Sequence, residues 1–111
     1  MSSIFHPLSK KTQLALTTFA SMIKTARING NMSQQELAQR LHINRLTVAA
    51  LEKGKPTVGI GIAFEAATIV GVPLLVEDIN QLNTQSRLIY QILSLLPERA
   101  GRKPKRVDDE F

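Results

Sequence analysis

The sequence predicts an all-α fold, on three observations. Ser33 and Asn44, eleven residues apart, each begin a pattern that caps a helix N-terminus. Before, between and after them, apolar residues recur at spacings of three and four. Nowhere does apolar–polar alternation last more than a few residues, so no strand of useful length is predicted.

The elements follow in order. Residues 12–29 read as a helix, with Leu16, Phe19, Ile23 and Ala26 on one face and Gly30 and Asn31 ending it. Ser33 caps a second helix, with Glu36 completing a capping box and Met32 and Leu37 forming a hydrophobic staple. Leu37, Ala38 and Leu41 make its inner face, and His42 and Ile43 are the turn. Asn44 caps a third helix, stapled by Ile43 and Val48 and ended by Gly54, with Pro56 blocking continuation. A fourth covers residues 60–70, with Phe64, Ala67 and Val70 inward and Gly71 as its stop. Pro73 can open a short fifth helix, and a last one runs over about residues 81–96, stopping before Pro97. The expected organisation is an N-terminal arm (1–11), a folded domain (12–80), a C-terminal dimerisation helix (81–97) and a charged flexible tail (98–111).

Composition bounds the possibilities. At 43% hydrophobic and 21% charged residues, most of the chain should fold, and the absence of cysteine removes disulfides and thiol chemistry. The longest apolar run, near Ile69–Val76, is broken by Gly71 and Pro73, far short of a membrane span. The first residues carry no secretory apolar region, so the expected location is cytoplasmic. The net charge is +5, and residues 98–111 contribute only +1 of it (five basic, four acidic). The folded part is therefore cationic by itself, as a nucleic-acid binder would be.

Two short helices joined by a tight turn form a helix-turn-helix unit. On a wheel from Asn44 to Lys53, Val48 and Leu51 face the preceding helix, while Leu46, Ala49, Ala50 and Lys53 lie opposite, flanked by Arg45. Small side chains there let a helix approach base edges. Leu46 or Ala49 can touch a thymine methyl, and Arg45 can fork onto guanine O6 and N7. Asn44, Thr47, Lys53 and Lys55 suit phosphates. The same spacing would also suit packing against another helix.

"SQQELAQRLHINRLTVAALEKGK" resembles the phage-repressor (XRE, Cro/CI-type) helix-turn-helix, through S-Q-x-E-L-A, a short turn and a helix ending L-E-x-G-K. The likeness extends over about residues 16–75. It implies a five-helix phage-repressor-like helix-turn-helix domain, here with an additional C-terminal helix and a disordered tail. It implies binding to double-stranded DNA at a palindromic operator, with a phosphate contact at Gln34 and base-facing positions at Arg45, Leu46 and Ala49. It also implies an ion pair between Arg27 and Glu52 that locks the first helix to the recognition helix. Two features depart from the pattern. His42 stands at the usual glycine of the turn, and Leu46 with the two alanines replaces commoner polar readers.

"LLPERAGRKPKRVDDEF" resembles the C-terminal signature of HipB-like antitoxins. That likeness implies a repressor and antitoxin component with a HipA-type kinase toxin as partner, and a nucleoid-associated place in the cytoplasm. Arg99, Arg102, Lys103, Lys105, Arg106 and Phe111 would bind the partner; a solubilising tail and a phosphate arm are the other readings of that basic cluster. A homodimer is expected through Leu82, Ile89, Ile92, Leu93 and Leu96, because two recognition helices must reach successive major grooves. The alternative is that this helix folds back within the monomer. Two rival functions stay open: an interaction protein that mainly holds a kinase toxin, and a phage-type repressor without a toxin.

Enzymatic chemistry finds little footing. His6 and His42 are the only histidines and have no second ligand at metal spacing, so neither metal nor cofactor is expected. Glu77 and Asp78 read as a solvated or capping pair, and "VGIGIAF" lacks the lysine and flanking strand of a phosphate loop.

Overall fold

The structure, a computed structural model, describes residues 7–97. Five helices account for it: α1 (Lys10–Asn29), α2 (Gln34–Leu41), α3 (Arg45–Glu52), α4 (Ile60–Val70) and α5 (Ile79–Leu95). The fold is all-α, as the periodicity predicts. The chain divides into two compact units, one ending at Leu74 and the other beginning at Leu75.

In the first unit each helix start is a local chemical event. Ser9 caps α1, its hydroxyl accepting from the Thr12 N–H at 3.2 Å, two residues ahead of the expected start. The Ser33 hydroxyl accepts from the Glu36 N–H at 3.0 Å while the Ser33 N–H donates to Glu36 Oε1 at 2.8 Å, which closes the capping box. Asn44 Oδ1 accepts from the Thr47 N–H at 2.9 Å. The turn between α2 and α3 needs a left-handed residue, and His42 supplies it with φ 58° and ψ 40°. Its N–H donates back to the Ala38 and Gln39 carbonyls. A histidine can therefore fill the place usually given to glycine, at a cost of about 1–2 kcal/mol.

With eight residues each, α2 and α3 are too short to persist alone. They are held by packing against each other and against α1 and α4. Ile23, Leu37, Ala38, Val48, Leu51, Ala66, Ala67 and Val72 form the core, with Met32, Ile43 and Leu41 packed at its edge. α4 meets this core through Ala66 and Ala67, not through the expected Phe64. The two alanines let α4 approach closely, and Phe64, 37% exposed, instead sets its ring edge-on to Phe19 at 6.3 Å between centroids. Leu16 and Phe19 are half-buried, whereas Ala20 is fully inside.

Gly54 brings the chain just after α3 close against α1. It adopts φ 75°, and a Cβ there would lie 2.9 Å from the Thr17 Cα. Both the backbone conformation and the space require glycine.

No helix forms at Pro73. Leu75 takes a left-handed backbone (φ 63°), and Asp78 already caps the next helix. Too few residues remain between Pro73 and that cap for a helix of its own. α5 begins two residues earlier than expected, because the Asp78 carboxylate accepts from the Gln81 N–H at 2.9 Å. No residue of α5 is buried.

Candidate nucleic-acid interface

The recognition helix α3 is two-faced because its inner residues are spaced to meet α2. Val48 is 0% exposed and Leu51 is also buried. On the far side Leu46 is 71% exposed, with Ala49 and Ala50 half-buried beside it. Arg45, Lys53 and Lys55 are exposed around that face. Asn44 and Thr47 sit at its start, where the Thr47 hydroxyl donates to the same Asn44 oxygen that caps the helix. Arg45, Leu46, Lys53 and Lys55 are thus open to solvent, while Thr47, Ala49 and Ala50 are half-buried.

Behind the surface runs a row of side chains that ties α3 to the rest of the unit. Arg27, on α1, meets Glu52, at the end of α3, with both partners largely buried. Arg27 Nε donates to Oε2 at 2.6 Å and Nη2 to Oε1 at 3.0 Å, a two-point pairing that fixes both position and angle. The remaining guanidinium nitrogen Nη1 donates to the Met32 carbonyl at 2.7 Å. Burial of such a pair is tolerable because every charge has a partner.

Gln34 extends this row to the surface. Its Nε2 donates to Glu52 Oε1 at 3.0 Å, and its Oε1 accepts from Arg45 Nη1 at 3.2 Å. The exposed Arg45 guanidinium is thereby connected through Gln34 and Glu52 to Arg27. Sequence reasoning gave Gln34 a phosphate contact and missed this second role. Nothing in the spacing of Gln34, Arg45 and Glu52 signals it, because it depends on how α2 and α3 cross.

Glu36 lies on the outer side of α2. Its carboxyl is held below the usual glutamate value, chiefly by the Ser33 backbone N–H, then by the Ser33 hydroxyl and by the charge of Arg40. Arg40 is also exposed, so the α2 surface away from the core carries both signs of charge.

Leu82, Ile89, Ile92, Leu93 and Leu96 belong to the second unit. Leu82 is half-buried and the other four are exposed. Arg99, Arg102, Lys103, Lys105, Arg106 and Phe111 lie outside the described residues, as does His6. Among the described residues no cluster of His, Asp or Glu could hold a metal ion, and no helix is long and apolar enough to cross a membrane.

The helix-turn-helix family model matches residues 23–76. An uncharacterized HTH-type transcriptional regulator of Methanocaldococcus jannaschii is 39% identical over 57 residues, which is 51% of this chain and 83% of the archaeal protein. An uncharacterized HTH-type transcriptional regulator of Archaeoglobus fulgidus is also 39% identical over 57 residues, 78% of its length. No solved structure matches the chain. Two capped eight-residue helices, the left-handed turn at His42 and the agreement with both relatives lead to one conclusion: the chain belongs to the XRE-type helix-turn-helix family.

Proposed function

We propose that the protein is a DNA-binding transcriptional repressor that grips a palindromic operator as a homodimer. The observation that carries this reading is the outward face of α3. Leu46 stands exposed at its centre, opposite the buried Val48, and Arg45 beside it is held by Gln34. An exposed leucine flanked by alanines is costly in water and useful against a thymine methyl. A tethered guanidinium loses less freedom when it forks onto guanine. Gln34, Asn44, Thr47, Lys53 and Lys55 would contact phosphates and fix register. Ala49 would allow the close approach. Leu82, Ile89, Ile92, Leu93 and Leu96 would join the two copies.

Anisotropy titrations with operator DNA across salt test the reading. If a dimer neutralises about 6–10 phosphates, affinity falls roughly 10³–10⁵-fold from 50 to 200 mM salt. Arg45→Ala should relax specificity at one base per half-site by about 1–3 kcal/mol, whereas Lys53→Ala should weaken all sequences alike. A flat salt response would defeat the repressor reading. An unchanged base preference in Arg45→Ala would move recognition to DNA shape.

A finer proposal concerns the partner. The tail's order of charges, basic residues 99–106 and then Asp108, Asp109 and Glu110 before Phe111, suits a protein groove better than a phosphate backbone. Together with the HipB-like signature, it supports an antitoxin role toward a HipA-type kinase. Deleting residues 98–111 should leave operator affinity within about threefold, roughly 0.6 kcal/mol, while weakening the kinase complex. A sharp loss of DNA affinity with the kinase still bound would make the tail a phosphate arm.

A further inference from the structure

We propose that α5 assembles the protein into a tetramer, a dimer of dimers held by a four-helix bundle. The proposal rests on the dimeric repressor reading and extends it. The helix has too much apolar surface for one neighbour. At 100° per residue, its apolar side chains sweep from Leu95 and Leu88 at one edge, through Ile92, Ile89 and Leu93, to Ile79 at the other. That arc is roughly 200°, about twice the 100° stripe that an amphipathic helix turns toward a single core. The one continuous polar strip is formed by Asn80, Asn83, Thr84, Arg87, Gln91 and Ser94. None of the helix is buried, and Leu95 is 84% exposed.

A two-stranded pairing covers a seam along Leu82, Ile89, Leu93 and Leu96 and leaves Leu88 and Leu95 in water. A bundle of four covers both edges, since each helix then has two neighbours. Eight large hydrophobic side chains from Ile79 to Leu96 are each 43–84% exposed, enough to supply surface on the order of the ~800 Å² that each partner contributes to a standard stable interface. Charge favours copies of the same chain as occupants. Arg87 is the only charged residue of α5, and it lies in the polar strip, so like helices meet without repulsion. Gln81, Gln85 and Ser86, set within the arc, can bond to their counterparts and fix the register. The helix-turn-helix match ends at residue 76, so the family domain does not need this surface for its own core.

Sedimentation velocity on the full chain at micromolar concentration tests the proposal. The expected mass is four times the 12.3 kDa of one chain. Leu88→Glu with Leu95→Glu should leave a dimer that binds a single palindrome as tightly as the wild type. Asn83→Glu, in the polar strip, should remain tetrameric. A wild-type dimer or monomer, or a tetramer that survives the Leu88 and Leu95 changes, would overturn the proposal. A tetramer that fails to bind operator DNA would instead refute the repressor reading and leave the assembly standing.

Discussion

The first unit and α5 dispose of their apolar residues in opposite ways. In the first unit, helices of eight to twenty residues bury Ile23, Leu37 and Val48 completely. In α5, seventeen residues bury nothing. The shorter helices are the ones that need neighbours most, and they have them. α5 carries the wider apolar arc and leaves most of it exposed. The difference separates two kinds of residue in one chain: those that specify the fold of the first unit, and those left free for the assembly proposed above. The family match falls on the first kind, at residues 23–76.

The comparison can be broken most sharply at Glu52. Glu52→Ala strands the buried Arg27 guanidinium and should cost about 3–5 kcal/mol, read as a lower urea midpoint. Ile89→Glu with Leu93→Glu should leave that midpoint where it was and change only the mass of the assembly. If both variants lower the midpoint equally, the two units do not differ in the way described. Gly54→Ala comes next. It combines a left-handed backbone with a Cβ pressed onto Thr17, and should cost about 2–4 kcal/mol. A smaller loss would mean that α1 yields at Thr17. The smallest effect sharpens the role of local caps. The depressed Glu36 carboxyl adds stability that is present above its unfolded-state value and is lost as pH falls through its folded-state value. Glu36→Gln should therefore lose less stability than the wild type between neutral and acid pH, when urea midpoints are compared at each. Equal losses would place the acid sensitivity elsewhere.

The legible parts of the fold are those written in neighbouring residues. Ser33 with Glu36, Asn44 with Thr47, and Gly71 after Val70 are contacts within one turn, so the sequence alone locates those helix ends. Of α4, it is the C-terminal end that such a contact marks, the Gly71 N–H donating to the Ala67 carbonyl. Of its inward face, Ala67 and Val70 follow from the spacing, but Ala66 does not and Phe64 is misplaced by it. Phe64 loses to Ala66 because the crossing with the other helices admits small side chains, and no local pattern encodes a crossing distance. Pro73 misleads in the same way: it is compatible with a helix start, but the Asp78 cap competes for the chain. At the candidate site, the exposed face of α3 follows from its spacing. The Gln34 bridge does not, because it joins residues eleven and eighteen positions apart across a helix crossing.

Gln34 also gives its row of side chains a direction. A primary amide offers a donor at one end and an acceptor at the other, so between Glu52 and Arg45 it fits only one way round. Carboxylate, amide and guanidinium form a queue in which each member dictates the orientation of the next. Reversing the amide would set oxygen against oxygen at Glu52 and nitrogen against nitrogen at Arg45. The amide nitrogen carries two N–H groups and gives one of them to Glu52. If Gln34 meets a DNA phosphate, as proposed above, the second N–H is the one on offer, and the contact can form with Arg45 still held. Backbone contact and base reading would then share one amide without competing for it.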